Sequence, residues 1–250
     1  SGDVGFITQS GALADSVIDW AIKERYAFSA LVSLGNSADL DAADFIEWLN
    51  TDARTKTIAV YLEGLQDGRK FMNAVKNSRK PVVILKGGQT ESGTKAVSSH
   101  TASLAGSPRV FRSAMQQCGA IWADTVEELF DLAKTLAEQP RARANAIAIV
   151  TNGGGAGVLC ADYCHELGVN LVELKPHTIR KLDASGVMHP AYSRRNPLDL
   201  IGDALPERYR VAINTLLAEP YIHGLIVVQT LQTMTNSLQD AQIVINARRK

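Results

Sequence analysis

The sequence predicts an α/β protein that consists of two doubly wound parallel-sheet domains. Short apolar runs alternate with longer stretches whose apolar residues recur at helical spacing, which is typical of parallel strands joined by helices. The alternation begins a second time after a polar, proline-containing stretch. We therefore assign a first domain to residues 1–139, a linker to residues 140–145 and a second domain to residues 146–250.

Five short strands are predicted in the first domain, at residues 4–8, 30–34, 57–62, 81–85 and 120–123. The first helix follows from Leu13, Val17 and Ala21, which recur at helical spacing. Further helices are predicted at residues 41–49, at 68–77, from 108 onwards and at 125–138. The last of these starts with a Thr-x-x-Glu capping box at Thr125 and Glu128. Five such strands favour the flavodoxin-like strand order.

The second domain shows three strands, at residues 146–151, 170–174 and 225–229. Helices are predicted at residues 158–167 and 206–218 and towards Arg248, and an ordered loop at 185–202. A doubly wound sheet usually has about four to six strands, so we expect this domain to be incomplete at its C-terminus. The strand at 225–229 should then lie at an exposed sheet edge.

The composition indicates a globular protein of the cytoplasm. Hydrophobic residues make up 46% and charged residues 21% of the 250 residues. The formal net charge is +0, so no overall field favours nucleic acid or an anionic membrane. No apolar run approaches the ~20 residues of a membrane span, and the first residues lead straight into a strand rather than a signal peptide. Three cysteines without a CxxC motif argue against a disulfide framework.

Several polar or glycine-containing segments follow strands of the first domain. They are the turn at Ser10, Gly11 and Ala12, the strand-end residues Glu63 and Lys86, and the loop around His100. Ligands of doubly wound sheets collect at the carboxyl ends of the strands, so these segments should meet at one edge. The turn at residues 8–12 presents amides of a helix N-terminus, where an anion is favoured.

The second domain offers a similar turn at Gly153, Gly154 and Gly155. Either turn alone is equally well explained as a tight strand–helix connection without a ligand. The loop at residues 98–107 surrounds His100 with small hydroxylic and methyl side chains, which suits a histidine that accepts a bulky group. An ordinary surface histidine is the alternative.

Glu63 and Lys86 have functional and ordinary interpretations. Glu63 could hold His100 in the tautomer that exposes its other ring nitrogen as a nucleophile, or could be a surface glutamate. Lys86 could neutralise a phosphate or an acyl carboxylate, but we slightly favour a solvated lysine at a strand end. The dinucleotide fingerprint, the P-loop and the hydrolase nucleophile elbow each fail on specific residues.

Five motifs in this order resemble the nucleoside-diphosphate-forming acyl-CoA synthetases, the relatives of succinyl-CoA synthetase that include ADP-forming acetyl-CoA synthetases. The motifs lie at residues 8–13, 62–64, 99–107, 151–158 and 196–200. The resemblance implies two flavodoxin-like ligase domains, with His100 as the phosphorylated histidine and Glu63 as its partner. It also implies that the turns at Ser10 and Gly153 bind the phosphoryl group from either side.

The implied reaction converts acyl-CoA, phosphate and ADP into acid, CoA and ATP through an acyl phosphate and a phosphohistidine. Coenzyme A and ADP or ATP with Mg would be substrates of the full protein, with no metal site and no tightly bound cofactor in this chain. The implied partners are CoA-binding and ATP-grasp domains or subunits, and the enzyme would be oligomeric. We expect the chain to be an inactive piece of such an enzyme. An acyl-CoA-synthetase-like region of a protein lysine acetyltransferase and a non-catalytic acyl-CoA or phosphate sensor are the alternatives.

Overall fold

The computed structural model describes residues 2–23, 26–37, 39–90, 92–93 and 107–247. The chain divides into two compact units, Ser1–Arg141 and Ala142–Lys250. Among the described residues, no helix is long and apolar enough to cross a lipid bilayer.

The first unit contains a parallel sheet with helices on both faces. Its described strands are β1 (Val4–Thr8), β2 (Phe28–Ser33), β3 (Thr57–Leu62), β4 (Val82–Lys86) and β5 (Ile121–Ala123). Its described helices are α1 (Gly11–Lys23), α2 (Ala42–Thr51), α3 (Gly68–Asn77), α4 (Pro108–Gln117) and α5 (Val126–Glu138). The strand order β2-β1-β3-β4-β5 confirms the predicted flavodoxin-like fold.

Both faces of this sheet are buried. In the central strand β3, Ile58, Val60 and Leu62 join the core formed with α2, α3 and α4. Ala59 lies in the opposite core, formed with α1 and α5. Because both faces are covered, the strands read as continuous apolar runs and only their ends can carry polar function.

The predicted capping box at the start of α5 forms only in part. The N–H of Glu128 donates to Thr125 Oγ1 at 3.0 Å, as predicted. The Glu128 carboxylate, however, accepts from the N–H of Asp124 at 2.8 Å instead of from that of Thr125. The returning bond is therefore displaced by one residue from the standard box.

The second unit contains a smaller parallel sheet. Its described strands are β6 (Ile147–Thr151), β7 (Leu198–Asp199) and β8 (Gly224–Val228), in the order β7-β6-β8. The described helices are α6 (Gly154–Glu166), α7 (Pro176–Ala184), α8 (Pro206–Leu217) and α9 (Ser237–Ala247). Strand β8 lies at one edge of this sheet, where an exposed edge was predicted, and all of its residues are partly exposed. The expected C-terminal incompleteness of the domain stays a prediction.

The prediction of a strand at residues 170–174 is wrong. Only Leu171 pairs with β6, through a single bridge to Ile147. The strand that pairs with β6 on this side is β7, which lies inside the segment 185–202 that was predicted as a loop.

The side chain of Asn196 explains this change of partner. Its Oδ1 accepts from the N–H of Ile149, and its Nδ2 donates to the carbonyls of Ile147 and Val172, each at 2.9 Å. The carboxamide thus occupies the position of a strand backbone between the Leu171 bridge and β7. Leu171 and β7 share one side of β6, and Asn196 joins them.

We expect Asn196→Ala to destabilise the second unit. The substitution leaves the Ile149 N–H without its acceptor inside the sheet, which costs about 1–3 kcal/mol. Urea denaturation of the protein measures the effect. Asn246→Ala is the matched control, because among the described residues its carboxamide bonds only to the exposed Gln242. This substitution should change stability by less than about 0.5 kcal/mol. Equal effects of the two substitutions would contradict the role of Asn196.

Candidate functional site at the strand ends

The turn between β1 and α1 is held by a buried threonine. Thr8 Oγ1 accepts from the N–H of Ser10 at 3.0 Å and donates to the Ser10 carbonyl at 3.1 Å. Ser10 Oγ in turn accepts from the N–H of Leu13 at 3.2 Å and so caps the helix. The exposed amides of Gly11 and Ala12 have no acceptor in the part of the chain that the structure describes. They form a helix N-terminus of the kind that binds anions.

The turn between β6 and α6 repeats this arrangement in the second unit. Thr151 Oγ1 accepts from the N–H of Gly153 at 3.1 Å and donates to its carbonyl at 3.3 Å. Gly153 has no side chain with which to cap the helix, whose first turn contains Gly154 and Gly155. Position 153 requires glycine, since a Cβ there would lie 2.7 Å from Cγ2 of Thr230.

Asp199 places a negative charge beside the second turn. A Cβ built on Gly154 would lie 3.0 Å from Asp199 Oδ2, so the carboxylate approaches the first turn of α6 closely. Its other oxygen, Oδ1, accepts from the N–H of Ile201 at 2.9 Å. A carboxylate in this position reduces the attraction of the turn for a further anion. The two predicted phosphate-binding turns therefore differ in charge.

Glu63 directly follows β3, and its main chain is held by two neighbouring strands. Gln9 Oε1 accepts from the N–H groups of Glu63 and Gly64 at 2.5 and 3.0 Å, and Gln9 Nε2 donates to the Gly64 carbonyl at 2.9 Å. From the other side, Lys86 Nζ donates to the Glu63 carbonyl at 2.8 Å. These contacts all go to main-chain atoms, so they leave the Glu63 carboxylate available for another partner.

The interpretation of Lys86 as a solvated lysine is wrong. Its exposed fraction is only 8%, and Nζ donates to the carbonyls of Glu63 and Gly87 and lies 5.6 Å from the centroid of the Phe111 ring. Burial lowers the pKa of this ammonium, and the nearby Glu63 charge opposes the shift. Lys86 is therefore part of the structure that carries Glu63.

The loop with His100 lies outside the described residues, which resume at Ser107. The predicted contact between His100 and Glu63 therefore stays a prediction. Within the first unit, the structure brings Gln9, Glu63 and Lys86 together at the carboxyl edge of the sheet, next to the turn at Ser10. The turn at Gly153 belongs to the second unit, so its participation in one site with Ser10 also stays a prediction.

Sequence reasoning assigned no role to Gln9 and Asn152, the two carboxamides that tie the turns to neighbouring chain. Asn152 is 1% exposed; its Oδ1 accepts from the N–H of Thr230 at 2.7 Å, and its Nδ2 donates to the Thr230 carbonyl at 3.0 Å. Each carboxamide follows the buried threonine of its turn and binds the chain beyond a neighbouring strand. Aligning residues 8–12 with 151–155 reveals this shared pattern of threonine, carboxamide, small residue and glycine.

Comparison with known protein families identifies both units. Residues 1–136 match the family described as succinyl-CoA ligase like flavodoxin domain, and residues 147–249 match the ligase-CoA domain. The ADP-forming acetate–CoA ligase I of Archaeoglobus fulgidus is 42% identical, over 98% of this chain and 35% of its own length. The alpha subunit of ADP-forming acetate–CoA ligase I of Pyrococcus furiosus is 40% identical, over 98% of this chain and 53% of its own length.

A solved structure agrees with these relatives. The acetyl-coenzyme A synthetase 1 of Ca. Korarchaeum cryptofilum, described as dinucleotide forming and determined in complex with phosphate and ADP, superimposes with a TM-score of 0.93 at 34% identity. The match covers 100% of this chain and 54% of that one. The chain thus spans between about a third and about half of the length of these relatives.

We expect inorganic phosphate to bind weakly at the turn between β1 and α1. Each exposed helix N-terminus contributes about 0.3–1 kcal/mol, so the amide resonances of Gly11 and Ala12 should shift in an NMR titration. Within the described part of the chain, nothing lies within 4 Å of a Cβ at position 11, which allows a matched pair of variants. Gly11→Ala should retain the shifts on addition of phosphate. Gly11→Asp should lose them, because the new carboxylate interacts with the positive helix N-terminus and repels phosphate. Resonances that stay unmoved in the unsubstituted protein would exclude the site.

Proposed function

This chain belongs to the family of succinyl-CoA ligase-like flavodoxin domains, and we propose that it is the ligase-domain part of an NDP-forming acyl-CoA synthetase. The complete enzyme would interconvert acyl-CoA, phosphate and ADP with a free acid, CoA and ATP. Acetate–CoA and 4-hydroxybutyrate–CoA ligases, both ADP-forming, are among the relatives. A small carboxylic acid is therefore the proposed organic substrate.

The observation that carries the proposal is the held main chain of Glu63, whose carboxylate has no hydrogen-bond or ion-pair partner among the described residues. Gln9 and Lys86 fix the backbone of this residue at the carboxyl edge of the sheet. Strand β4 ends at the same edge, and the chain continues from there towards His100. A carboxylate that accepts from one imidazole nitrogen fixes the tautomer and leaves the other nitrogen as a nucleophile.

In the proposed reaction, phosphate first displaces CoA from the acyl group and forms an acyl phosphate. The free ring nitrogen of His100 then attacks phosphorus: the N–P bond forms, the bond from phosphorus to the acyl oxygen breaks, and the carboxylic acid leaves. Glu63 stabilises the positive charge that develops on the imidazole. ADP finally accepts the phosphoryl group and regenerates His100. Magnesium would accompany the nucleotide as part of that substrate.

The two threonine-held turns are proposed to bind the transferred group. The amides of Gly11 and Ala12 would bind it in one position, and those of Gly154 and Gly155 in another. Helix N-terminal amides supply hydrogen bonds without a mobile cation, so binding is sufficient for capture and weak enough for release. Ser10 and Gly153 act as the capping positions of these helices.

CoA-binding and ATP-grasp domains or subunits are the proposed partners, because the relatives are longer than this chain. The full enzyme would supply the sites for CoA and nucleotide, work in the cytoplasm and assemble as an oligomer. We propose that the chain alone does not complete the reaction.

His100→Ala should abolish stable phosphate incorporation in the full-length protein. Phosphohistidine is labile to acid, so labelled ATP followed by acid treatment identifies the modified group. His165→Ala is the control, because this histidine is exposed on α6. Acid-labile phosphate that persists in His100→Ala would disprove the assignment. A native protein that takes up no phosphate would instead favour the sensing-module or acetyltransferase alternatives.

Glu63→Gln should lower the rate of histidine phosphorylation by about 10²–10⁴-fold. The amide keeps the size of the side chain, and the main-chain bonds to Gln9 and Lys86 do not depend on the carboxylate. The thermal midpoint should therefore remain within a few degrees. Glu47→Gln, an exposed glutamate on α2, is the control. An unchanged rate in Glu63→Gln would rule out the orienting role.

A further inference from the structure

Lys86 is a buried ammonium at the last position of β4. A lysine at a strand end can usually extend into solvent, but this one turns inward and reaches the carbonyl of Glu63 at 2.8 Å on the neighbouring strand β3. Its second bond goes to the carbonyl of Gly87. Within the described residues, no carboxylate lies within 4.0 Å of its nitrogen. Burying a cation without an ion pair is costly, so the contacts it makes must matter to the fold or to function.

The peptide group between Glu63 and Gly64 is planar, and a hydrogen bond holds each of its two polar groups. Its N–H group, from Gly64, donates to Gln9 Oε1 at 3.0 Å. Its carbonyl, from Glu63, accepts from Lys86 Nζ. Because the peptide is planar, holding both of its polar groups fixes its orientation and that of the attached Glu63 Cα. Removing only the lysine frees one end of this plane.

We propose that Lys86 is a positioning residue for phosphoryl transfer, which fixes the Glu63–Gly64 peptide so that the Glu63 carboxylate stays in one place. This inference rests on the proposed role of Glu63 in the ligase reaction. Lys86 acts through Glu63 and does not itself touch the transferred group. The main-chain bond from Gly87 to Leu62, at 2.8 Å, ends the ladder between β3 and β4, so Lys86 continues the pairing of the two strands by one further step.

Lys80 provides a matched control on the same segment of chain. Its Nζ also donates to two carbonyls, those of Leu49 and Asp52 at 2.6 and 2.5 Å, and burial also lowers its pKa. It precedes β4 and therefore lies at the amino end of the strand, away from Glu63. Lys80→Met and Lys86→Met remove the same kinds of bonds at opposite ends of one strand.

The test measures single-turnover histidine phosphorylation by ATP in the full-length enzyme. Lys86→Met should lower the maximal rate by about 10²-fold, the typical cost of misplacing a catalytic group by about 1 Å. The ATP concentration for half-maximal rate should not change, because Lys86 binds no substrate. Lys80→Met should retain the native rate even if it lowers the thermal midpoint as much. Amide hydrogen exchange at Gly64 should accelerate in Lys86→Met and not in Lys80→Met.

Each outcome separates the two proposals. If the native enzyme is phosphorylated but Lys86→Met matches Lys80→Met in rate, the positioning role is wrong and the proposed function stands. Native exchange at Gly64 in Lys86→Met would also overturn it. A native enzyme that takes up no phosphate overturns the function and, with it, this role. If Lys86→Met does not fold, Lys86→Gln replaces it, with the same expected loss in rate because its shorter neutral side chain cannot reach the Glu63 carbonyl.

Discussion

The ends of parallel strands leave backbone groups without partners, and this constraint organises both units of the protein. Where the ladder stops, an N–H or carbonyl near the core costs about 1–3 kcal/mol unless another group binds it. Side chains from neighbouring strands supply these partners. Gln9 and Lys86 do so after β3, and Asn152 does so after β8. The turns that are proposed to bind phosphate are consequently tied, through the carboxamides of Gln9 and Asn152, to chain beyond a neighbouring strand.

The two units use related solutions with different details. In both, a buried threonine holds the turn and the following carboxamide binds the neighbouring chain. Ser10 caps its helix through a hydroxyl, whereas Gly153 leaves room for Thr230. Asp199 adds a negative charge beside the second turn, and no described carboxylate does so at Gly11. The nearby carboxylate makes the second turn less attractive to an anion than it would otherwise be.

Periodicity predicted the first unit well, because its strands are continuous apolar runs between helices with apolar stripes. The five strands and the flavodoxin-like order follow from that pattern. In the second unit, residues 170–174 carry the same apolar signal but form only one bridge, because a single side chain, Asn196, decides which segment lies beside β6. Such side-chain bonds to distant backbone have no period in the sequence. Glu63 could be singled out because it follows a strand and lies in a motif. The burial of Lys86 and the hydrogen bonds of Gln9 could not be foreseen, because they depend on such side-chain bonds.

The carboxamide of Asn196 also closes a long excursion of the chain. Its Nδ2 binds Val172 at one end of the excursion, and Asn196 itself stands at the other end, where β7 begins. The residues between them, with α7 in their midst, thus leave and return to the sheet at one fixed point. Lengthening such a closed loop costs only about 0.6 kcal/mol per doubling. The exposed turns of this excursion can therefore lengthen without disturbing the register of β6, provided that the buried Leu182 and Tyr192 keep their places in the core.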